Sequence, residues 1–255
     1  MPRTKIFILY FTVCLLFSSI GYGQDTSLTF VQKGDSAYDA FQNELALKNY
    51  LKAIELDPLN YDAAWKLSRS YVDIGEDLEG DQKAGYYQKG ETFARKATSL
   101  NPEGSMGHLS LSIALGRVAL DAGPKQRIKM SKEIKKEADL AIKYDATNDI
   151  AYHVLGRWNR KLANLSWIEK GFANMFLGGV PEGASNEEAV KDFKKAIDLN
   201  PAYINHYLEL AKTYIMMDKE NLAIPELKKC LELKVFDSDD PKYKNEAKEL
   251  LKDIE

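Results

Sequence analysis

The stretch ALKNYLKAIELDPLNYDAAWKLS, residues 46–68, decides the fold. Ala46, Tyr50 and Ala53 stand four and three residues apart, and Pro58 follows five later. Steps of four and three place side chains along one face of a helix. The alanines let a second helix approach closely, and the proline marks where the first must stop. Nine residues past Pro58 comes Leu67-Ser68, with Tyr71 four further on, which opens a second helical stripe. The same offsets return at Gly90, Ala94, Ala97 and Pro102. They return again at Ile134, Ala138, Ala141 and Ala146, where the proline is lost, and at Ala189, Phe193, Ala196 and Pro201. A fifth copy is Ala223, Leu227, Cys230 and Val235.

Leu111-Ser112, Leu155-Gly156 and Leu210-Ala211 sit nine residues beyond the proline position of their copies, as Leu67-Ser68 does. The unit is helix, turn, helix, and it resembles the tetratricopeptide repeat, whose period is about 34 residues. From Ala189 to Ala223 the period is 34, whereas the earlier copies run 44, 44 and 55. Because the proline-to-leucine distance is constant, the extra residues fall between the two helices of a repeat, at about 72–85, 117–130 and 160–184. Residues 27–41 read as a degraded first helix, with Lys33-Gly34 at the Leu-plus-small position. Tyr243, Ala247, Leu250 and Ile254, after Asp240-Pro241, read as a terminal cap. The expected fold is all-α, a right-handed α-solenoid of about five tetratricopeptide-like hairpins with a C-terminal capping helix, over residues 24–255.

Residues 1–23 stand apart. Arg3 and Lys5 precede an apolar run from Ile6 to Ile20, and Gly21-Tyr22-Gly23 is a small-x-small site. That run is shorter than the roughly 20 residues a membrane span needs, so the segment reads as a cleaved signal peptide. The reading implies an exported protein, periplasmic or extracellular, with no membrane span after cleavage; an uncleaved anchor is the alternative. The whole chain of 255 residues carries 35 basic and 38 acidic residues, a balance that does not suggest nucleic-acid binding. Cys230, on a buried stripe, reads as a packed thiol.

The fourth repeat is the most distinctive. Ala151, Leu155, Trp158, Leu162 and Leu165 keep alternating steps, so its first helix is expected to extend past residue 165. An apolar run with Trp167, Phe172, Phe176 and Leu177 follows, expected as a wall or lid packed on the solenoid or lining a ligand. The runs AYHVLGRW (151–158), LANLSWIEK (162–170) and NMFLGGVPEGASNEEAVKDFKKAIDLNP (174–201) resemble the regulator of microtubule dynamics family over about residues 150–215. His153, Leu155, Gly156, Arg157, Trp158, Trp167, Phe176 and Pro181 carry the resemblance. It implies a repeat scaffold, with members that associate with microtubules or organelle contacts and one that binds phospholipid.

No catalytic residues, metal site or cofactor is expected. His108, His153 and His206 lie in different repeats, without the i, i+4 spacing of a helical metal site. Lys125, Arg127, Lys129, Lys132, Lys135 and Lys136 read as a solvated helix face or a patch for phosphate or an acidic partner. By the tetratricopeptide resemblance, residues two before and two after each leucine face a concave groove. These are Trp65 and Arg69, Leu109 and Ile113, His153 and Arg157, and Leu208 and Lys212. The first reading is a non-enzymatic scaffold or adaptor that binds a protein or peptide there. The second is a binder of an anionic phospholipid or fatty acid, or a microtubule-dynamics regulator by resemblance.

Overall fold

A computed structural model describes residues 26–166, 170–171, 179 and 183–255. Among these residues every regular element is a helix. The eleven are α1 (Ser27–Asp39), α2 (Asn43–Leu56), α3 (Tyr61–Glu76), α4 (Gly80–Leu100), α5 (Ser105–Val118), α6 (Pro124–Tyr144), α7 (Asp149–Ala163), α8 (Asn186–Leu199), α9 (Ile204–Met216), α10 (Glu220–Glu232) and α11 (Asp240–Ile254). They pair as five hairpins, α1–α2 to α9–α10, and α11 caps the stack on α10. The architecture is an α-solenoid.

The repeat spacing works through close approach. Ala46, Tyr50, Ala53, Ala94, Ala97, Ala138, Ala141, Ala189, Phe193, Ala196, Leu227 and Cys230 are all fully buried. In the first and fourth repeats a glycine on the first helix makes room for a ring on the second. A Cβ on Gly34 would enter the Tyr50 ring, and one on Gly156 would meet the Phe193 ring at 2.8 Å. Gly34 therefore holds the small-residue position that links α1 to the later repeats.

The turn after each of the first four second helices is built by the residue before the proline position. Asp57, Asn101, Asp145 and Asn200 each donate their backbone N–H to the carbonyl of Ala53, Ala97, Ala141 and Ala196. Their side chains then accept from the N–H of Leu59, Glu103, Thr147 and Ala202. This Asx turn survives in the third copy, where the proline has become Ala146. A second device locks adjacent repeats. The Asn60 side chain caps α3 at Ala63 N–H and donates to Ser27 Oγ, which donates to the Ala53 carbonyl. Asn148 repeats it on α7, through Ala151, Ser105 and the Ala141 carbonyl.

The two 44-residue periods are taken up largely as helix: α4 and α6 have 21 residues each, against 14 in α2 and α8. The expected extension of the fourth repeat's first helix past residue 165 is not found. α7 ends at Ala163, because Asn164 turns its backbone N–H and its side-chain amide back onto the Arg160 carbonyl. Apolar clusters follow one another along the chain, the first within α1–α4 and the last within α8–α11. Each contacts mainly its neighbours, as in a one-dimensional stack.

Candidate binding face

The first helices α3, α5, α7 and α9 carry the eight expected groove residues, but they differ in access. Leu208 is fully buried in the C-terminal core, and Leu109 and His153 are also buried. Ile113 packs partly buried between two apolar clusters. Trp65, Arg69 and Lys212 are half-buried, and Arg157 is exposed. In the last three of these helices the position two after the leucine thus keeps more access than the one before, while Trp65 and Arg69 are alike. Trp167, Phe172, Phe176 and Leu177, expected as a wall or lid, lie outside the described residues.

Two charged centres form on this side. At the α7–α9 end, the buried Glu209 carboxylate receives Arg160, lies 4.0 Å from Arg157 and 3.3 Å from Lys212. Burial alone would raise its pKa, but Arg157, Arg160 and Lys212 outweigh it and hold the carboxyl down at about 2. Lys212 also reaches Glu246 on α11 at 2.6 Å. Arg157 makes the longest contact of the set and keeps 43% of its side chain exposed. At the α1–α3 end, the Arg69 guanidinium lies 3.5 Å over the Tyr38 ring and 5.2 Å from that of Trp65. Asp73 stands one turn along α3. Burial pushes its carboxyl up to about 7, opposed by Arg69 and reinforced by Asp237, Glu76 and Asp239.

At the α7–α9 end there is also a buried chain that sequence spacing did not reveal. His153 Nδ1 is 3.0 Å from His206 Nδ1, and His206 Nε2 is 2.9 Å from Asp149 Oδ2. Asn200 donates to the same carboxylate oxygen. Burial, with His206 and nearby arginines, holds the His153 pKa well below the ordinary histidine value, so it is neutral. His108 is separate, bonded to Glu137 and the Pro102 carbonyl. Among the described residues no group of His, Cys, Asp or Glu has the geometry of a metal site. Cys230 is packed in the core, its thiol pushed up to about 12 by burial and by Glu226. The basic run on α6 borders a cavity of about 680 Å³, lined by Lys125, Lys129, Lys132 and Ile128 among others.

Five stacked hairpins that turn their first helices to one side define the class, a tetratricopeptide-like helical-repeat scaffold. The chain belongs to the family described as Regulator of microtubule dynamics protein 1-3, whose family model matches residues 30–255. It is 26% identical over 217 residues to Regulator of microtubule dynamics protein 1 of Caenorhabditis elegans, covering 85% of this chain and 96% of that one. It is 28% identical over 236 residues to Regulator of microtubule dynamics protein 3 of Bos taurus, covering 89% of this chain and 49% of that one. The chain therefore spans nearly all of the worm relative and about half of the bovine one. Among solved structures, a thermophilic tetratricopeptide-repeat protein of Thermus thermophilus matches with a TM-score of 0.64 at 17% identity, over 87% of this chain and 98% of that one. That likeness concerns the fold alone.

These relatives correct the expected localisation. They are animal proteins named as regulators of microtubule dynamics, which overturns the expectation of an exported, periplasmic or extracellular protein. The expected signal peptide, residues 1–23, lies outside the described residues. Among the described residues no helix is long and apolar enough to cross a membrane.

Proposed function

We propose that the chain is a scaffold that holds an acidic segment of a protein partner against α7 and α9. The observation that carries this is Arg157. Arg157, Arg160 and Lys212 share one buried carboxylate, Glu209, and Arg157 is both the most exposed and the least engaged. An under-neutralised cation cluster beside a low-dielectric wall attracts carboxylates and steers acidic partners. The relatives' names make the microtubule the first partner to test.

The test is co-sedimentation of the full chain with microtubules assembled from purified tubulin, across a salt series. The chain is expected to pellet with them at low salt and to release as salt rises. Arg157→Glu is expected to weaken binding about tenfold, the equivalent of roughly 1.4 kcal/mol, with the helical fold retained and the melting temperature lowered by the loss of its attraction to Glu209. Unaltered binding by Arg157→Glu moves the site off α7. No sedimentation of the wild-type chain removes microtubules as the partner.

A further inference from the structure

The two ends of the solenoid meet. Lys242, on the first turn of α11, bridges to Asp77 just past α3 at 2.6 Å, and also to Asp239 at 3.1 Å. Beside this bridge, Tyr38, Asp39, Phe41 and Asn43 at the end of the first hairpin face Phe236, Asp237 and Ser238 across one small cleft. The loop that makes the contact is pre-shaped: the buried Asp240 side chain accepts from the N–H groups of Phe236 and Asp237.

Two features mark this seam as a reversible clasp rather than a core. First, the apolar clusters of α1–α4 and α8–α11 share no residue, and Phe41 and Phe236 at the seam remain 49% and 68% exposed. Apolar burial, the main source of lasting cohesion, is therefore little used there. Second, acids oppose acids. Tyr38 on α1, Arg69, Asp73 and Glu76 on α3, and Asp77 form one wall. Asp237 and Asp239 of the loop, Lys242 and Tyr243 of α11, and Tyr203 at the start of α9 form the other. Against these acids stand Arg69, Lys242 and Arg117, the last already paired with Glu76. Asp73 is in the middle, its Oδ2 buried without a hydrogen-bond partner.

We propose that the α1–α3 end and the 236–243 segment form an electrostatic latch, closed when Asp73 is neutral and opened when it ionises against Asp237, Asp239 and Glu76. The latch stands apart from the partner-binding proposal, since it involves neither Arg157 nor Glu209. The direction follows from linkage. Asp73 rises from an ordinary value of 3.8 to about 7 in the closed form, through burial first and then the facing acids, and the part of that rise due to cover by the 236–243 segment and to Asp237 and Asp239 makes closure bind the proton more tightly than the open form does. Closure is favoured at low pH and weakens, by at most about tenfold per pH unit, as the pH rises to about 7.

Small-angle X-ray scattering of the full chain at pH 5 and pH 8, with helicity followed by circular dichroism, tests this. The wild-type radius of gyration is expected to be larger at pH 8. Asp73→Asn, neutral at every pH, is expected to stay compact at both. Lys242→Ala, which deletes the bridge on the solvent side and leaves the core intact, is expected to be more expanded than wild type at pH 5, where the wild-type latch is closed. A wild-type radius that does not change with pH overturns the proposal. So does an Asp73→Asn chain that expands like wild type, or a Lys242→Ala chain as compact as wild type at both pH values.

Discussion

Gly156 tests the packing logic of the repeat. It lies in the middle of α7, where replacing glycine by alanine would ordinarily stabilise a helix by roughly 1 kcal/mol. Here the added Cβ would stand 2.8–2.9 Å from three atoms of the Phe193 ring. The ring cannot withdraw cheaply. It is fully buried, with the His153 ring edge-on at 5.4 Å and the Arg160 guanidinium at 5.8 Å. Overpacking of this kind costs about 1–3 kcal/mol, so Gly156→Ala is expected to lose roughly 1 kcal/mol net. Gly85 is the control. It is inside α4, and a Cβ there would meet nothing within 4 Å. Gly85→Ala is expected to gain about 0.5–1 kcal/mol. For a chain of this size the two melting temperatures should move in opposite directions by about 2–4 °C per kcal/mol. Phe193→Leu in the Gly156→Ala background should recover part of the loss, since contacting sites do not add. If Gly156→Ala raised the melting temperature as Gly85→Ala does, the close approach of α7 and α8 would not be what selects the small residue.

Two further predictions concern the buried polar groups. The Glu209 carboxyl is depressed from 4.5 to about 2, so its ion pairs contribute stability above about pH 4.5 that is lost as the pH falls through about 2. Urea titrations from pH 7 to pH 2 should show wild type losing roughly 3 kcal/mol more than Glu209→Gln; parallel profiles would refute the assignment. Asn148→Ala removes both the α7 cap and the bond to Ser105 Oγ, and should cost about 1–2 kcal/mol. Asn60→Ala, at the equivalent place on α3, should cost the same within error. A urea midpoint unchanged by either substitution would show that the Asn–Ser lock is not needed.

What could be read in advance was what short-range geometry enforces. Ala53, Ala97, Ala141, Ala196 and Cys230 mark the repeat because two helix backbones meet there, and any larger side chain would separate them. Asp57, Asn101, Asp145 and Asn200 mark it equally well through the Asx turn, a signal that stands one residue before each proline position. The groove was less legible. Two positions before the later leucines, Leu109, His153 and Leu208 are buried, whereas Trp65 at the same place in α3 is only half-buried and Arg157 and Lys212 on the other row remain accessible. The assignment by repeat position treated both rows alike, although only contact between adjacent helices decides which is covered. The pairings His153–His206 and Lys242–Asp77 join residues 53 and 165 apart in the chain. The first joins neighbouring first helices, α7 and α9, and falls within two residues of the 55-residue period, so what spacing hides is only the ring orientation. The second is encoded by no period. It joins the second hairpin to the cap, and so depends on how every hairpin between them stacks on its neighbour, with the two-turn longer α4 and α6 among them.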